Sequence, residues 1–285
     1  MFPAQFDYEA PSSLDEAVKA LAAGGGDAKV LAGGHSLLPL MKLRLAQPSK
    51  LIDLGKIQGL SYVRQDGGAT AIGAMTTHAD VVAANVPLLS ETAAHVGDIQ
   101  VRNRGTLGGS LAHADPAGDL PAAVLALGAE IKAVGKNGAR TIAADDFFVD
   151  LLTTALAADE ILTEVRIPAL SGRTGVSYKK FAQPASRYAI CGVAAVITLG
   201  ANNAVERARV AVTGVGPKAY RATGVEQALQ GKSATADNIR AAAEHAADGV
   251  EASGDIHASA DYRKHLARVF ARRAIEEAVS RAQGG

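Results

Sequence analysis

The chain of 285 residues contains a single cysteine, Cys191. Iron–sulfur clusters need several thiolates, and structural zinc sites need a set of thiolates or of thiolates and imidazoles. The chain therefore cannot hold such a cluster alone. Cys191 lies in the apolar stretch YAICGVAAVITL, which is typical of a buried, unreactive thiol. We assign no chemistry to it and expect no metal site on this chain.

The sequence also lacks net charge, because Lys plus Arg and Asp plus Glu number 29 each. That balance removes the electrostatic argument for nucleic acid or an anionic membrane as the main partner. No apolar run approaches the roughly 20 residues of a membrane-spanning helix, and the first residues, MFPAQFDYEAPSS, do not resemble a signal peptide. The sequence predicts a globular cytoplasmic protein with no membrane span and no nucleic-acid partner.

The common nucleotide fingerprints are absent as well. The chain has no G-x-G-x-x-G motif. The nearest approach to a P-loop is Gly231-Lys232-Ser233, but Glu226 stands where that motif needs a glycine. A kinase or ATPase is therefore a poor interpretation of this chain.

Two double-glycine segments, both predicted to be loops, are the most informative features present. The first glycine segment is LAGGHSLLP, residues 31–39, and the second is GTLGGSLAHADPAGDLP, residues 105–121. Both place adjacent glycines beside hydroxyl-bearing residues. Because glycine has no Cβ, a bulky anion can approach the backbone N–H groups, which together with hydroxyls can satisfy a pyrophosphate without a metal. A tight turn would explain one such segment, but two in one half of the chain favour a nucleotide cofactor.

Hydrophobic residues make up 48% of the chain, enough for a buried core and about two domains. In the first half we predict helices at 14–24, 77–82, 88–96 and 120–128, and strands at 28–33, 49–54 and 160–168, with hairpins at 66–68 and 137–138. Residues 169–175 are the best candidate linker, with a domain boundary near Gly172. Strands follow it and helices come last, the final one capped by Ser259.

Three stretches, AGGHSLLPLMKLR, IQVRNRGTLGGSLAHADPAGDLP and SADYRKHLARVFARRAI, resemble in order and spacing the FAD-binding medium subunits of the molybdenum hydroxylases, the carbon monoxide dehydrogenase and xanthine dehydrogenase family. The resemblance spans nearly the whole chain. It implies an α+β fold with an FAD domain of the vanillyl-alcohol-oxidase (PCMH) type at 1–172, in two lobes at about 1–56 and 57–172. A C-terminal α+β domain of antiparallel sheet and helices would occupy 173–285.

The resemblance also implies which residues bind FAD. The first wall, along the pyrophosphate and ribityl region, would comprise Ala32, Gly33, Gly34, His35 and Ser36, with Leu37 continuing the loop. The second wall would comprise Thr106, Gly108, Gly109 and Ser110, the last standing where many members carry asparagine or aspartate. Asp119 matches an acidic position that contacts the cofactor. Lys180 and Tyr188 would approach the isoalloxazine ring, Tyr188 by stacking. No catalytic residue is expected, since the flavin carries the chemistry.

The function implied is electron transfer within a heteromeric complex. A molybdenum-cofactor large subunit would oxidise the substrate, and a [2Fe-2S] small subunit would relay electrons to FAD on this chain. An external acceptor, either quinone, NAD or oxygen, would then collect them. The substrate is chosen by the molybdenum subunit, so carbon monoxide, purines, aldehydes and N-heterocycles all stay open.

Two other functions are weighed against this one. GGHS also resembles the flavin loop of berberine-bridge-type oxidases, which would make His35 the site of covalent FAD in a stand-alone enzyme. Leu31-Ala32 replaces the arginine–serine usual there, however, and the chain after Gly172 is too small for that family's substrate domain. A cofactor-free structural subunit is opposed by the intact glycines. His113, Asp115 and Asp119 are ordinary turn residues rather than a metal set.

Overall fold

A computed structural model of the chain describes residues 2–170 and 172–284. The chain begins with a small parallel sheet in the strand order β1-β3-β2. Its elements are β1 (Asp7–Glu9), α1 (Leu14–Ala23), β2 (Ala28–Leu31), α2 (Leu37–Lys42) and β3 (Lys50–Asp53). Helix α1 begins where the sequence predicts, because the side chain of Ser13 caps the N–H of Glu16. The first glycine segment leaves the end of β2 and enters α2.

A second lobe contains an antiparallel sheet in the order β4-β5-β10-β6-β7. Its strands and the hairpin beside it are β4 (Val63–Asp66), β5 (Ala69–Gly73), β6 (Glu130–Gly135), β7 (Gly138–Ala143), β8 (Phe148–Asp150), β9 (Thr153–Thr154) and β10 (Ile161–Pro168). Its helices are α3 (His78–Ala83), α4 (Leu89–Ala94), α5 (Ile99–Arg102), α6 (Leu107–His113), α7 (Asp119–Leu127) and α8 (Ala144–Phe147). The predicted hairpins at 66–68 and 137–138 are confirmed.

The second glycine segment is mostly helical, which corrects the expectation of a loop. Glycine lowers helix propensity by about 1 kcal/mol, so two adjacent glycines argued against a helix from sequence. The cap and the packing outweigh that cost. Thr106 Oγ1 accepts a hydrogen bond from the N–H of Gly109 at 3.1 Å, and Leu107 and Leu111 are fully buried. Ala114, in the left-handed conformation with φ of 50°, ends α6.

The C-terminal domain is an antiparallel sheet in the order β11-β12-β13-β14, with helices packed on it. Its elements are β11 (Arg173–Ala182), β12 (Ala189–Leu199), β13 (Val205–Thr213), β14 (Tyr220–Arg221), α9 (Thr223–Leu229), α10 (Ala236–Ala243) and α11 (Ala260–Ala282). Ser259 caps α11, as predicted. Since β11 begins at Arg173, the predicted linker 169–175 is shorter than expected, and the domain boundary near Gly172 stays a prediction.

Helix α7 joins the two domains through a shared core. All nine of its residues, Asp119 to Leu127, are buried. One apolar cluster combines α7 with residues of the second lobe and with Tyr178, Ala194 and Ala211 of the C-terminal sheet. Any ligand held near the start of α7 therefore lies next to both domains. The expected α+β fold of two domains is confirmed.

Candidate cofactor-binding site

The two glycine segments, far apart in sequence, lie against each other. Gly33 packs on the Arg104–Gly105 peptide so closely that a Cβ would overlap the Arg104 carbonyl oxygen. A Cβ placed on Gly109 would lie 3.5 Å from the Cβ of Ala32. The backbones of the two lobes thus meet where neither segment carries a side chain. This contact could not be read from either segment alone.

The glycines of the two segments have different structural roles. Gly34 has a φ of 77°, and a Cβ there would lie 2.9 Å from Leu38 Cδ1. A Cβ on Gly108 would lie 2.5 Å from that of Ala74. Gly33, Gly34 and Gly108 are therefore required by the fold itself. At Gly109 the nearest atoms to a Cβ would be the Thr106 hydroxyl at 2.7 Å and the Ala32 methyl carbon. Gly109 is the glycine whose absent side chain most directly leaves space between the two segments.

The remaining residues of the first wall follow β2. Ala32 is half-buried, and His35 is exposed in the turn before α2. Ser36 is the N-cap residue of α2. Leu37 is the first residue of that helix. The prediction that Leu37 continues a loop is therefore wrong. In the second wall, Ser110 is half-buried within α6.

A histidine that the sequence analysis missed lies behind this contact. His78, the first residue of α3, is only 4% exposed, and a Cβ on Gly105 would lie 2.7 Å from its Cδ2. Its Nδ1 has no hydrogen-bond partner among the described residues. Burial lowers the pKa of His78 to about 4, with smaller contributions from His35 and Arg102, so the ring is neutral near pH 7. No local sequence signal distinguishes this histidine from an ordinary helix-start residue.

Asp119 and Lys180 face each other across the domain interface. Lys180 Nζ donates to Asp119 Oδ2 at 2.7 Å, and the two side chains are 1% and 5% exposed. The same ammonium donates to the His95 carbonyl at 3.1 Å. The hydroxyl of Tyr178, which the sequence did not single out, donates to Asp119 Oδ1 at 2.5 Å. Burial raises the pKa of Asp119, while Lys180 and Tyr178 act in the opposite direction. The assignment of Asp119 and Lys180 as cofactor contacts stays a prediction.

Tyr188 reaches from the C-terminal domain toward the first glycine segment. Its side chain is 44% exposed and borders a cavity of about 220 Å³ together with Ala117, Gln183 and His257. Burial raises the pKa of its phenol, and the Ser36 hydroxyl opposes that shift, which links Tyr188 to the first wall. An aromatic ring at the border of an open space suits stacking on a planar ligand.

Neighbouring charged residues are engaged in the fold. The Arg102 guanidinium donates to the carbonyls of Val96 at 3.0 Å and Gly97 at 3.2 Å, which stabilises the turn after α4. His113 Nε2 and Asp115 Oδ2 are 3.8 Å apart. Asp119, the third residue of the metal site considered from sequence, accepts hydrogen bonds from Tyr178 and Lys180. Among the described residues, no group of three or more His, Cys, Asp or Glu side chains is arranged to hold a metal ion.

Comparison with known proteins assigns both halves of the chain. Residues 4–170 match the family described as FAD binding domain in molybdopterin dehydrogenase. Residues 176–278 match the CO dehydrogenase flavoprotein C-terminal domain. The chain is an FAD-binding medium subunit of the molybdenum hydroxylase family. The resemblance seen in the three sequence stretches is confirmed.

Individual relatives cover the medium subunit from end to end. It is 42% identical to the carbon monoxide dehydrogenase medium chain of Hydrogenophaga pseudoflava, over 99% of both chains. It is 41% identical to the nicotine 6-hydroxylase medium subunit of Paenarthrobacter nicotinovorans, over 96% of this chain and 97% of the relative. Among solved structures, a chain of the H. pseudoflava carbon monoxide dehydrogenase lacking the Mo-pyranopterin moiety superposes with a TM-score of 0.95 at 42% identity, covering 99% of each chain. Quinoline 2-oxidoreductase from Pseudomonas putida 86 gives 0.92 at 37% identity, with 99% of each chain covered.

These matches make the medium subunit an oxidoreductase flavoprotein with FAD as its cofactor. The residues present fit that cofactor: the absent side chain of Gly109 leaves space between the two segments, the Ser36 and Ser110 side chains are half-buried beside it, and the Tyr188 ring is half-exposed. The full-length matches favour this family over the stand-alone oxidase and the cofactor-free subunit. Among the described residues, no helix is both long and apolar enough to cross a membrane.

Proposed function

We propose that the medium subunit takes electrons from a [2Fe-2S] small subunit and passes them through FAD to an external acceptor. A molybdenum-cofactor large subunit oxidises the substrate in the same complex. The observation that carries the proposal is the match of residues 4–170 and 176–278 to the two flavoprotein families, supported by the half-exposed Tyr188 ring at the border of a cavity. The single cysteine, Cys191, is buried, which supports an iron–sulfur centre on another chain.

The roles of this chain's residues are to bind and to orient. The first wall consists of Ala32, Gly33, Gly34, His35, Ser36 and Leu37, and the second of Thr106, Gly108, Gly109 and Ser110. The first wall would present backbone and hydroxyl groups to the pyrophosphate and ribityl chain. In the second wall the N–H groups of Gly108, Gly109 and Ser110 are bonded within the fold, so its hydroxyls and the space left at Gly109 would serve the cofactor. Asp119, Lys180 and Tyr188 serve the ring region. FAD supplies the capacity to accept and release electrons when bound, and the protein supplies position and electrostatic environment. No catalytic acid or base on this chain is required.

The substrate belongs to the large subunit and is not assigned here. The names of relatives span carbon monoxide, nicotine and glyceraldehyde, so membership of the family does not select one of them. Quinone, NAD and oxygen all stay open as acceptors. The cytoplasmic location expected from the sequence also stays a prediction.

The test is to co-express the medium subunit with its candidate partner subunits, purify the complex through a tag on this chain, and determine flavin, iron and molybdenum in each subunit. We expect one FAD per medium subunit, released into the supernatant by acid, with iron and molybdenum on the other chains. Flavin that stays in the acid pellet would favour covalent attachment through His35. A complex without flavin would favour the structural subunit, and iron or molybdenum on this chain would contradict the division of labour.

A further inference from the structure

We infer that Tyr178 is a positioning residue for the flavin site, acting through Asp119 and Lys180. This inference rests on the proposed function, because it assumes that FAD binds between the glycine segments and the C-terminal domain. Tyr178 belongs to neither glycine segment. Its hydroxyl nevertheless makes the 2.5 Å hydrogen bond to the carboxylate that begins α7.

The geometry of strand β11 lets Tyr178 and Lys180 both reach Asp119. They are two residues apart on β11, so their side chains point to the same face of the sheet. On that face Tyr178 donates to one oxygen of Asp119, and Lys180 donates to the other at 2.7 Å. The carboxylate is thus fixed by two donors from one strand. Rotation of Asp119 would break both bonds.

The neighbouring strand leaves space for the phenol. Gly192 on β12 pairs with Lys180, and a Cβ on Gly192 would overlap the Tyr178 hydroxyl. Tyr178 itself is 1% exposed. Burial and the adjacent carboxylate raise its pKa well above the ordinary value, so the hydroxyl remains a donor throughout the physiological range. The buried phenol of Tyr178 is accommodated here by the absence of a side chain on Gly192.

The same interface anchors the connection between α6 and α7. Thr213 Oγ1 donates to the carbonyls of Pro116 and Gly118, at 2.8 Å each. The N–H of Ala189, the residue after Tyr188, donates to the Ala117 carbonyl at 3.2 Å. The position of Tyr188 beside the first wall is therefore coupled to the start of α7. A change in how Asp119 is held is transmitted to the groups that we assign to the ring.

The test is Tyr178→Phe in the co-expressed complex, with FAD removed and titrated back. Loss of a donor to a buried carboxylate should weaken FAD binding about tenfold, since hydrogen bonds to charged groups are the stronger class. The visible absorption spectrum of the bound flavin should shift as well. Tyr220→Phe is the matched control, because its hydroxyl donates to the Ala246 carbonyl at 3.0 Å, within the C-terminal domain. That variant should leave both FAD affinity and spectrum unchanged.

A double-mutant cycle tests whether Tyr178 acts through Asp119. In an Asp119→Ala background, where no acceptor is left for the Tyr178 hydroxyl, Tyr178→Phe should change FAD affinity by no more than about twofold, the usual error of additivity. If Tyr178→Phe does not assemble, Gly192→Ala keeps every hydrogen-bonding group but displaces the phenol, and it should weaken FAD binding in the same direction. Wild-type affinity and spectrum in an assembled variant would overturn the inference. A wild-type complex without FAD would instead overturn the proposed function.

Discussion

Gly109→Ala separates the cofactor role of the second glycine segment from its structural role. The new methyl group would meet the Thr106 hydroxyl at 2.7 Å and the Ala32 methyl carbon at 3.5 Å. Disturbing the Thr106 cap costs about 1 kcal/mol, and alanine in place of glycine inside a helix returns about 1 kcal/mol. The two contributions offset each other. We therefore expect the thermal stability of the FAD-free complex to be nearly unchanged while FAD binding is strongly weakened, since loss of a bound ligand alone lowers the stability of the loaded complex.

Two alanine variants of the same chain make this comparison interpretable. Gly26→Ala is the neutral control, because no heavy atom of the described residues lies within 4 Å of a Cβ there and its φ is not positive. Gly108→Ala places a methyl 2.5 Å from that of Ala74, and such overpacking costs about 1–3 kcal/mol. It should lower stability and FAD binding together.

The assay is thermal unfolding combined with titration of FAD, followed by flavin fluorescence, on the co-expressed complex for all three variants. A Gly109→Ala complex that binds FAD as tightly as wild type would refute the assignment of the second wall. A large fall in the unfolding temperature of the FAD-free Gly109→Ala complex would refute the separation of the segment's cofactor role from its structural role.

Three further predictions concern single side chains. Because burial lowers the pKa of His78 from 6.5 to about 4, the unfolded chain binds a proton at a higher pH than the folded chain does. The free energy of unfolding should therefore fall by about 3 kcal/mol in total as pH drops from 6.5 to below 4. His78→Phe should flatten this limb of the melting-temperature profile, and an unchanged slope would contradict the assignment of the fall to His78. Cys191 is buried with its thiol pKa raised to about 12, so a thiol reagent should label it only after denaturation. Arg209 donates to the Leu125 carbonyl at 2.7 Å and to Asp145 at 2.8 Å, so Arg209→Met should destabilise the fold by about 2 kcal/mol in chemical denaturation, and a loss within experimental error would show that the bonds contribute nothing net.

The elements that could be predicted are those specified locally. Ser13 and Ser259 cap the helices that follow them, and the hairpin between β6 and β7 turns at Lys136-Asn137, one residue before the predicted pair. The long strands β12 and β13 carry apolar runs that read as strands without any knowledge of their partners. In each case the signal and the structure it specifies lie within about a dozen residues of each other.

The features that could not be predicted depend on contacts between distant segments. Helix α6 forms although Gly108 and Gly109 lie near its start, because Gly108 packs against Ala74 in the turn after β5. Tyr178 meets Asp119 across 59 residues of sequence. Neither contact can be read from helix propensities or from the composition of a turn. From sequence, the second glycine segment was therefore predicted to be a loop, and Tyr178 was not distinguished from other strand residues.

Three glycines of the two segments carry less functional information than their positions suggest, and Gly109 carries more. Gly33, Gly34 and Gly108 are demanded by backbone contacts or by a positive φ, so a chain that had lost its cofactor would still need them to fold. Gly109 has no such backbone contact, because the nearest atoms to a Cβ there would be the Thr106 hydroxyl and the Ala32 methyl carbon. A chain that only had to fold could carry alanine at 109 with little net cost, since the gain in helix propensity offsets the disturbed cap. Gly109 is therefore the glycine at which FAD binding should be tested.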